Sequence, residues 1–260
     1  MSQGWNWEGF TSYLVSPYLI GGAFQTIWLT LAAIAGGLFL GTLLTLARLS
    51  GARWLSAPAA FYVWVFRGTP LLVQLIILYT GLPQVGVRLP VVAAALVGLI
   101  LNEGAYLSEI IRGGIASVPR GQTNAAKALG LNAFQTMRQV VFPQAMRLIV
   151  PSLGNSVNSL LKTTSITSVI SMEELLRRTQ ELIQERFMVL ELFVVAALYY
   201  LLITTVWDFF QRRIEAHYGR GYVAHGAAPA GWRERWLKWG RAAARWSTGC
   251  TTSLNQRDTP

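Results

Sequence analysis

The chain has 260 residues, of which 53% are hydrophobic and only 13% charged, and its formal net charge is +10. An average soluble domain carries about 25% charged residues, so this composition is typical of a membrane protein. With one cysteine, Cys250, and two histidines, His217 and His225, a disulfide framework or a Cys/His metal cluster within one chain is excluded.

Five segments are candidates to cross a bilayer, which requires about 20 residues in an α-helix. They cover residues 22–47, 54–82, 90–113, 143–161 and 189–210. Residues 1–21 contain no Lys or Arg, whereas the stretch from Arg112 to Phe142 contains four basic residues and no acid. The positive-inside rule then predicts an all-α, multi-pass membrane protein with about five transmembrane helices, its N-terminus outside and its C-terminus in the cytoplasm.

This topology divides the chain into three parts. Residues 1–21 form an external N-terminal segment, and residues 22–215 form the transmembrane domain, with a cytoplasmic loop at 113–142. Residues 216–260 form a basic, Trp-rich cytoplasmic tail, which we expect to be partly disordered. Tryptophans at helical spacing among arginines predict either an amphipathic helix on the inner leaflet or a poorly ordered tail. Because the basic residues lie between and after apolar segments and no nucleic-acid-binding motif accompanies them, we expect no nucleic-acid partner.

Two irregularities are predicted within the spans. Gly37 and Gly41 form a G-x-x-x-G pattern, which allows another helix to approach closely. The run Arg67-Gly68-Thr69-Pro70 interrupts the second span, because proline removes a backbone donor and glycine loosens the chain. We therefore expect a break or bend at residues 67–70.

Polar residues inside the spans are candidates for a translocation path, since they must face protein or a wet cavity. In the third span, Glu109 can pair with Arg112 at spacing i, i+3, whereas Glu103 has no local partner and either forms a packing hydrogen bond or lines a cavity. In the fourth span, polar residues three and four apart form one stripe of the helix. The path candidates are Asn102, Glu103, Glu109, Asn155, Ser159, Thr164 and Ser165.

The loop at 113–142 is predicted to hold two short helices. Ser117 is expected to cap the first helix, and Gly130 suits the left-handed position at its end. Asn132 with Gln135 forms a capping box for the second helix. The small side chains of the first helix, Ala125 and Ala126 among them, favour docking of its backbone against another protein, although a plain connector fits the same pattern.

The string G-Q-x-x-A-A-x-x-L-G at residues 121–130, followed by F-x-x-x-x-x-V-x-x-P-Q-A-x-R at 134–147, resembles the EAA loop of ABC importer permeases, in particular the polar amino-acid uptake branch. The segments FRGTPLLVQL at 66–75, GAYLSEIIRGGI at 104–115 and LLKTTSITSVIS at 160–171 are similar to the same family. The resemblance covers roughly residues 20–215. One position departs from the family, because Asn124 stands where most members have glutamate.

The resemblance implies a subunit of the bacterial inner membrane that has no catalytic site and binds no metal or cofactor, while ATP and Mg²⁺ are bound by a partner. The implied partners are a dimer of ATPase subunits, a second permease subunit that is a copy or a sister chain, and an external solute-binding protein. The implied residues of ATPase docking are Gly121, Gln122, Asn124, Ala125, Ala126, Leu129 and Gly130.

The substrate stays open, because histidine, lysine, arginine, glutamine, cystine and opine importers share these motifs. Two other classes compete with an importer subunit. A homo-oligomeric channel or ion-coupled carrier would use Glu103 and Glu109 directly, but it has no need of a docking loop. A membrane-embedded enzyme lacks candidate residues, since no histidine lies in a span.

Overall fold

The computed structural model describes residues 5–218, which are helical with short connections. The α-helices are α1 (Trp7–Leu14), α2 (Pro17–Leu49), α3 (Arg53–Gly68), α4 (Leu71–Ile76), α5 (Val91–Ala116), α6 (Arg120–Ala128), α7 (Ala133–Thr136), α8 (Phe142–Thr163), α9 (Leu175–Arg186) and α10 (Val189–Tyr218). Single π-helical turns follow α4 and α7, at Ile77–Gly81 and Met137–Val141. The Trp-rich part of the predicted tail lies outside the described residues.

Within that range, three helices are long and apolar enough to cross a membrane, namely α2, α5 and α10. A fourth crossing is formed if α3 and the segment Leu71–Val85 are counted together, although the two are bent by 105°. This bend confirms the break predicted at residues 67–70. Helix α8 is 22 residues long but is not among the candidates, because Arg147, Asn155, Asn158 and Lys162 lower its hydropathy. Five crossings and their orientation therefore stay predictions.

Helix α2 contains the first predicted span, residues 22–47, and extends beyond it at both ends. It begins at Pro17, with proline in the first turn, where its missing N–H costs no hydrogen bond. Residues 7–14 before it form the separate helix α1. Asn6 caps α1, and its side chain accepts a hydrogen bond from the Gly9 N–H at 2.9 Å.

Helices α2 and α5 share the most extensive helix contact of the described residues, and glycine allows their backbones to approach each other. A Cβ atom on Gly37 would lie 3.1 Å from the Glu103 Cβ, and one on Gly41 would lie 3.0 Å from the Gly104 carbonyl oxygen. The Thr45 hydroxyl then donates to the Ser108 carbonyl across the interface at 3.0 Å. The G-x-x-x-G prediction is confirmed, and the contact fixes the face of α5 that carries its acidic residues.

A buried carboxylate joins α9 and α10 near the start of α2. The Glu174 side chain is fully buried and accepts hydrogen bonds from the N–H groups of Leu176 and Arg177, at 3.0 and 2.8 Å, at the start of α9. The Tyr200 hydroxyl of α10 donates to the same carboxylate at 2.9 Å. Burial raises the pKa of the Glu174 carboxyl, and these three donors oppose that shift. One side chain thus ties α9 to α10.

Candidate functional site

A polar cavity of about 570 Å³ lies where the break between α3 and α4 faces α5 and α8. The break contributes Arg67 and Thr69, α5 contributes Asn102, Glu103 and Glu109, and α8 contributes Ser156, Ser159 and Thr163. Asn102, Glu103, Glu109 and Ser159 were candidates from the sequence, and the structure brings these four together around one cavity. Such a cavity is the environment that ionisable residues in a membrane helix require.

Glu103 is the most deeply placed of the cavity acids, with 8% of its surface exposed. Ser156 of α8 lines the same cavity. No basic residue of the described range forms an ion pair with it. Glu103 therefore brings a carboxylate to the cavity without a cation from the described residues, and of its two interpretations the structure shows the cavity lining.

Glu109 lies among three arginines. The predicted pairing with Arg112 is confirmed, with Nη2 2.7 Å from Oε2, and Arg48 of α2 contacts the other carboxylate oxygen. The Arg67 guanidinium lies 3.8 Å from Glu109 Oε1, too far for a hydrogen bond, and 5.5 Å from the centre of the Tyr106 ring. Three positive charges around one negative charge leave Arg67, whose side chain is 45% exposed, available to another anion.

The break beside the cavity is held by an amide network. The Gln74 side chain of α4 donates to the carbonyl oxygens of Phe66 and Thr69, at 3.0 and 3.1 Å, and so satisfies backbone acceptors at the end of α3. Asn102 in turn donates to Gln74 Oε1 at 3.1 Å. Gln74 was not among the residues predicted from the sequence, because its role depends on the bend that brings α3 and α4 together.

Three path candidates lie outside this cavity. Asn155 accepts a hydrogen bond from the Gln211 side chain of α10 at 3.1 Å. Thr164 is fully buried and donates to the Leu161 carbonyl, and Ser165 lines a separate hollow beside α10. Ser156 and Thr163, which line the cavity in their place, were missed, although they share a helical face with Ser159 at intervals of three and four residues.

The candidate docking helix is α6. Six of the seven candidate docking residues are exposed in this chain: Gly121, Gln122, Asn124, Ala125, Leu129 and Gly130. The exception corrects the prediction, because Ala126 is 3% exposed and faces inward, one helical step away from Ala125. Its small size lets α6 lie close to its own chain instead of to a partner.

The residues that cap α6 and α7 were predicted correctly from the sequence only in part. Gly130 has φ +82°, and the capping box between Asn132 and Gln135 is present, as predicted. Ser117 does not cap α6, which was wrong. Its hydroxyl donates back to the Gly114 carbonyl at 2.6 Å, and Pro119 occupies the cap position because its fixed backbone starts the helix at Arg120.

Comparison with known proteins identifies the family. Residues 33–220 match the family described as the binding-protein-dependent transport system inner membrane component. The arginine transport system permease protein ArgU of Corynebacterium glutamicum is 38% identical over 234 residues, which is 85% of this chain and 74% of that protein. The glutamine transport system permease protein GlnP of Escherichia coli (strain K12) is 40% identical over 201 residues, covering 76% and 92% of the two chains.

A solved structure agrees with these relatives. It is a crystal structure of an amino acid ABC transporter with histidines, in which one chain is 34% identical and superposes with a TM-score of 0.78. The match covers 82% of this chain and 99% of that one. This chain belongs to the family of binding-protein-dependent transport system inner membrane components.

Proposed function

We propose that this chain is the membrane-spanning subunit of an ABC importer that moves polar amino acids into the cytoplasm across a bacterial inner membrane. Relatives that transport arginine, glutamine and cystine support the substrate class. In this proposal the chain forms a dimer with a copy or a sister permease. A solute-binding protein delivers the substrate, and two separate ATPase subunits bind ATP and Mg²⁺.

The observation that carries the proposal is the separation of charge in the cavity. Glu103 offers a carboxylate that has no basic partner within residues 5–218, and Arg67 offers guanidinium donors that Glu109 does not take up. A zwitterionic amino acid has the complementary groups, an ammonium for Glu103 and a carboxylate for Arg67, which can bind it through two parallel hydrogen bonds. Hydroxyl groups of Ser156, Ser159 and Thr163 also line the cavity and can bind a polar side chain.

The α6 surface supports docking of the ATPase. Ala125 is exposed beside Gly121 and Gln122 and offers no bulky side chain to keep a partner away. Asn124 is exposed as well, so it keeps the hydrogen-bonding capacity of this position but not the charge found in most relatives of the EAA type. Docking by shape, with a minor contribution from Asn124, fits this surface best.

An ion-coupled carrier is less well supported. That mechanism requires a membrane carboxylate that exchanges a proton or cation during each cycle. Glu109 is surrounded by Arg48, Arg67 and Arg112, which compete with any other cation. Of the two cavity acids, only Glu103 has no ion pair with a basic residue of the described range.

The cavity assignment can be tested by uptake into proteoliposomes that contain this chain, its ATPase and its loaded binding protein. Glu103→Gln and Arg67→Gln each remove one charge that the substrate is proposed to contact. Losing a hydrogen bond to a charged group costs about 1.5–3 kcal/mol, so we expect each variant to lower uptake by about 10- to 100-fold. Glu173→Gln, a matched change on a side chain that is 65% exposed outside the cavity, should leave uptake unchanged. Full uptake by both cavity variants would contradict the assignment.

A further inference from the structure

Helix α1 is fastened to the end of the bundle at which α2 and α10 both begin. The Asn6 N–H donates to Glu191 Oε1 of α10 at 2.9 Å, and the Tyr199 hydroxyl of α10 donates to the Leu14 carbonyl at 2.8 Å. Phe10, Tyr13 and Leu14 pack against a buried cluster around Leu19, Leu175 and Val195. Helix α1 is therefore a fixed part of the fold. Because one of its faces packs against the bundle, its other faces point away from it.

Large apolar side chains remain uncovered beside this contact. Trp7 of α1 is 69% exposed and Phe187, between α9 and α10, is 77% exposed, while Leu190 of α10 is 63% exposed. Trp7 and Phe187 are chain neighbours of Asn6 and Met188, and the side chains of those two residues meet where α1 crosses the start of α10. Trp7, Phe187 and Leu190 therefore all lie near the junction of α1 with α10, and we call these three exposed residues the apolar collar.

The backbone of Phe187 gives a second, independent indication. This residue ends α9 with φ 57°, a left-handed conformation that glycine or asparagine usually occupies because it strains other residues. At this strained position the described chain leaves the Phe187 residue 77% exposed. A contact outside the chain would give such a ring its stabilising environment.

We propose that the collar of Trp7, Phe187 and Leu190 is seated in the membrane–water interface, so that α1 is an interfacial helix that anchors the ends of α2 and α10 to the lipid. Leu190 lies in the first turn of a helix that is apolar enough to cross the bilayer, which places the collar at the level of the membrane boundary. Tryptophan and other amphipathic aromatic residues are enriched at this boundary. The proposal depends only on α2 and α10 crossing the membrane, so it stands or falls separately from the transport function.

The other side of α1 has the polarity that this placement requires. Glu8 and Ser12 are both exposed and lie four residues apart, so they share one face that points away from the packed residues. Trp7 lies between that polar face and the packed face, because consecutive residues of a helix are about 100° apart. A helix lying along the interface has a polar face in contact with water and an apolar face in contact with acyl chains, as α1 would with Glu8 and Ser12 on one face and Trp7 on the other.

The test is the accessibility of spin labels in lipid nanodiscs that contain the full chain. Cys250→Ser supplies a background without cysteine, and Trp7→Cys, Phe187→Cys and the control Ser12→Cys each carry one label. Labels at positions 7 and 187 should collide mainly with oxygen, which concentrates in lipid, and the label at position 12 mainly with a water-soluble nickel chelate. We expect the ratio of oxygen to nickel collisions to be several-fold higher at positions 7 and 187 than at position 12.

Two outcomes would overturn the proposal. Nickel access at positions 7 and 187 equal to that at position 12 would place the collar in water. Exclusion of both reagents from positions 7 and 187 would show that protein, such as a second copy of the chain, covers the collar instead of lipid. The two labelled variants are prepared separately, so failure of one to fold still leaves a reading from the other.

Discussion

The tight contact between α2 and α5 predicts a large effect from one methyl group. In Gly41→Ala the new Cβ would lie 3.0 Å from the Gly104 carbonyl oxygen, the Leu107 Cβ and the Ser108 nitrogen, whereas ordinary contacts are 3.4–4 Å. Two of these atoms belong to the backbone and cannot rotate away, so α5 must shift. Overpacking of this kind costs about 1–3 kcal/mol, from which the better helix propensity of alanine subtracts up to about 1 kcal/mol.

A matched control separates packing from helix propensity. Gly113 lies in the same helix pair, near the end of α5, and a Cβ there would meet nothing within 4 Å. Gly113→Ala should therefore keep or slightly raise the free energy of unfolding, whereas Gly41→Ala should lie about 1–3 kcal/mol below Gly113→Ala, because both variants gain the same helix propensity. Denaturation of the purified protein in mixed micelles, followed by circular dichroism, measures both changes. Equal stabilities, or a more stable Gly41→Ala, would refute the close approach of α2 and α5.

Three further predictions concern the buried cap and the docking helix. Glu174→Ala should lower the free energy of unfolding by about 2–3 kcal/mol, because three donors lose their acceptor. The control Glu173→Ala, at the exposed neighbouring residue, should change it by less than about 0.5 kcal/mol. The same denaturation assay measures both changes. Ala125→Arg places a bulky charge on the exposed face of α6, so membrane insertion should persist while the ATPase no longer co-purifies; an undiminished ATPase yield would argue against docking at this face. Asn124→Ala should change the ATP turnover that the loaded binding protein stimulates by less than about fivefold. A loss of most of this turnover in Asn124→Ala would mean that a hydrogen bond at this position carries the coupling. Asn124→Glu should lower the turnover only if the ATPase has adapted to asparagine.

Features that depend on neighbours in the chain were accessible to sequence reasoning. Pro70 and Gly68 act on the adjacent backbone, so the bend was predictable, and the same holds for the capping box of Asn132 and the left-handed Gly130. Glu109 and Arg112 lie one helical turn apart, which made their pairing readable as well.

Features that depend on packing were not accessible. Arg48 is 61 residues away from Glu109, and only the contact of α2 with α5 joins them. Ala125 and Ala126 have the same side chain, so composition could not show that one is exposed and the other buried. Only some of the residues that line the cavity were predicted, for a similar reason. Helix α8 holds several polar residues, and the rotation of the helix determines that Ser156 and Ser159 line the cavity while Asn155 contacts α10.

The central claim is that this chain conducts an amino acid only when a separate ATPase drives it. ATP-dependent accumulation of radiolabelled arginine, glutamine or cystine, each with its binding protein, in proteoliposomes tests this directly. We predict that accumulation of at least one substrate requires this chain, the ATPase and the loaded binding protein together, and that it stops when ATP is left out of the compartment that holds the ATPase. Accumulation that proceeds without the ATPase, driven by a proton or sodium gradient, would contradict the account.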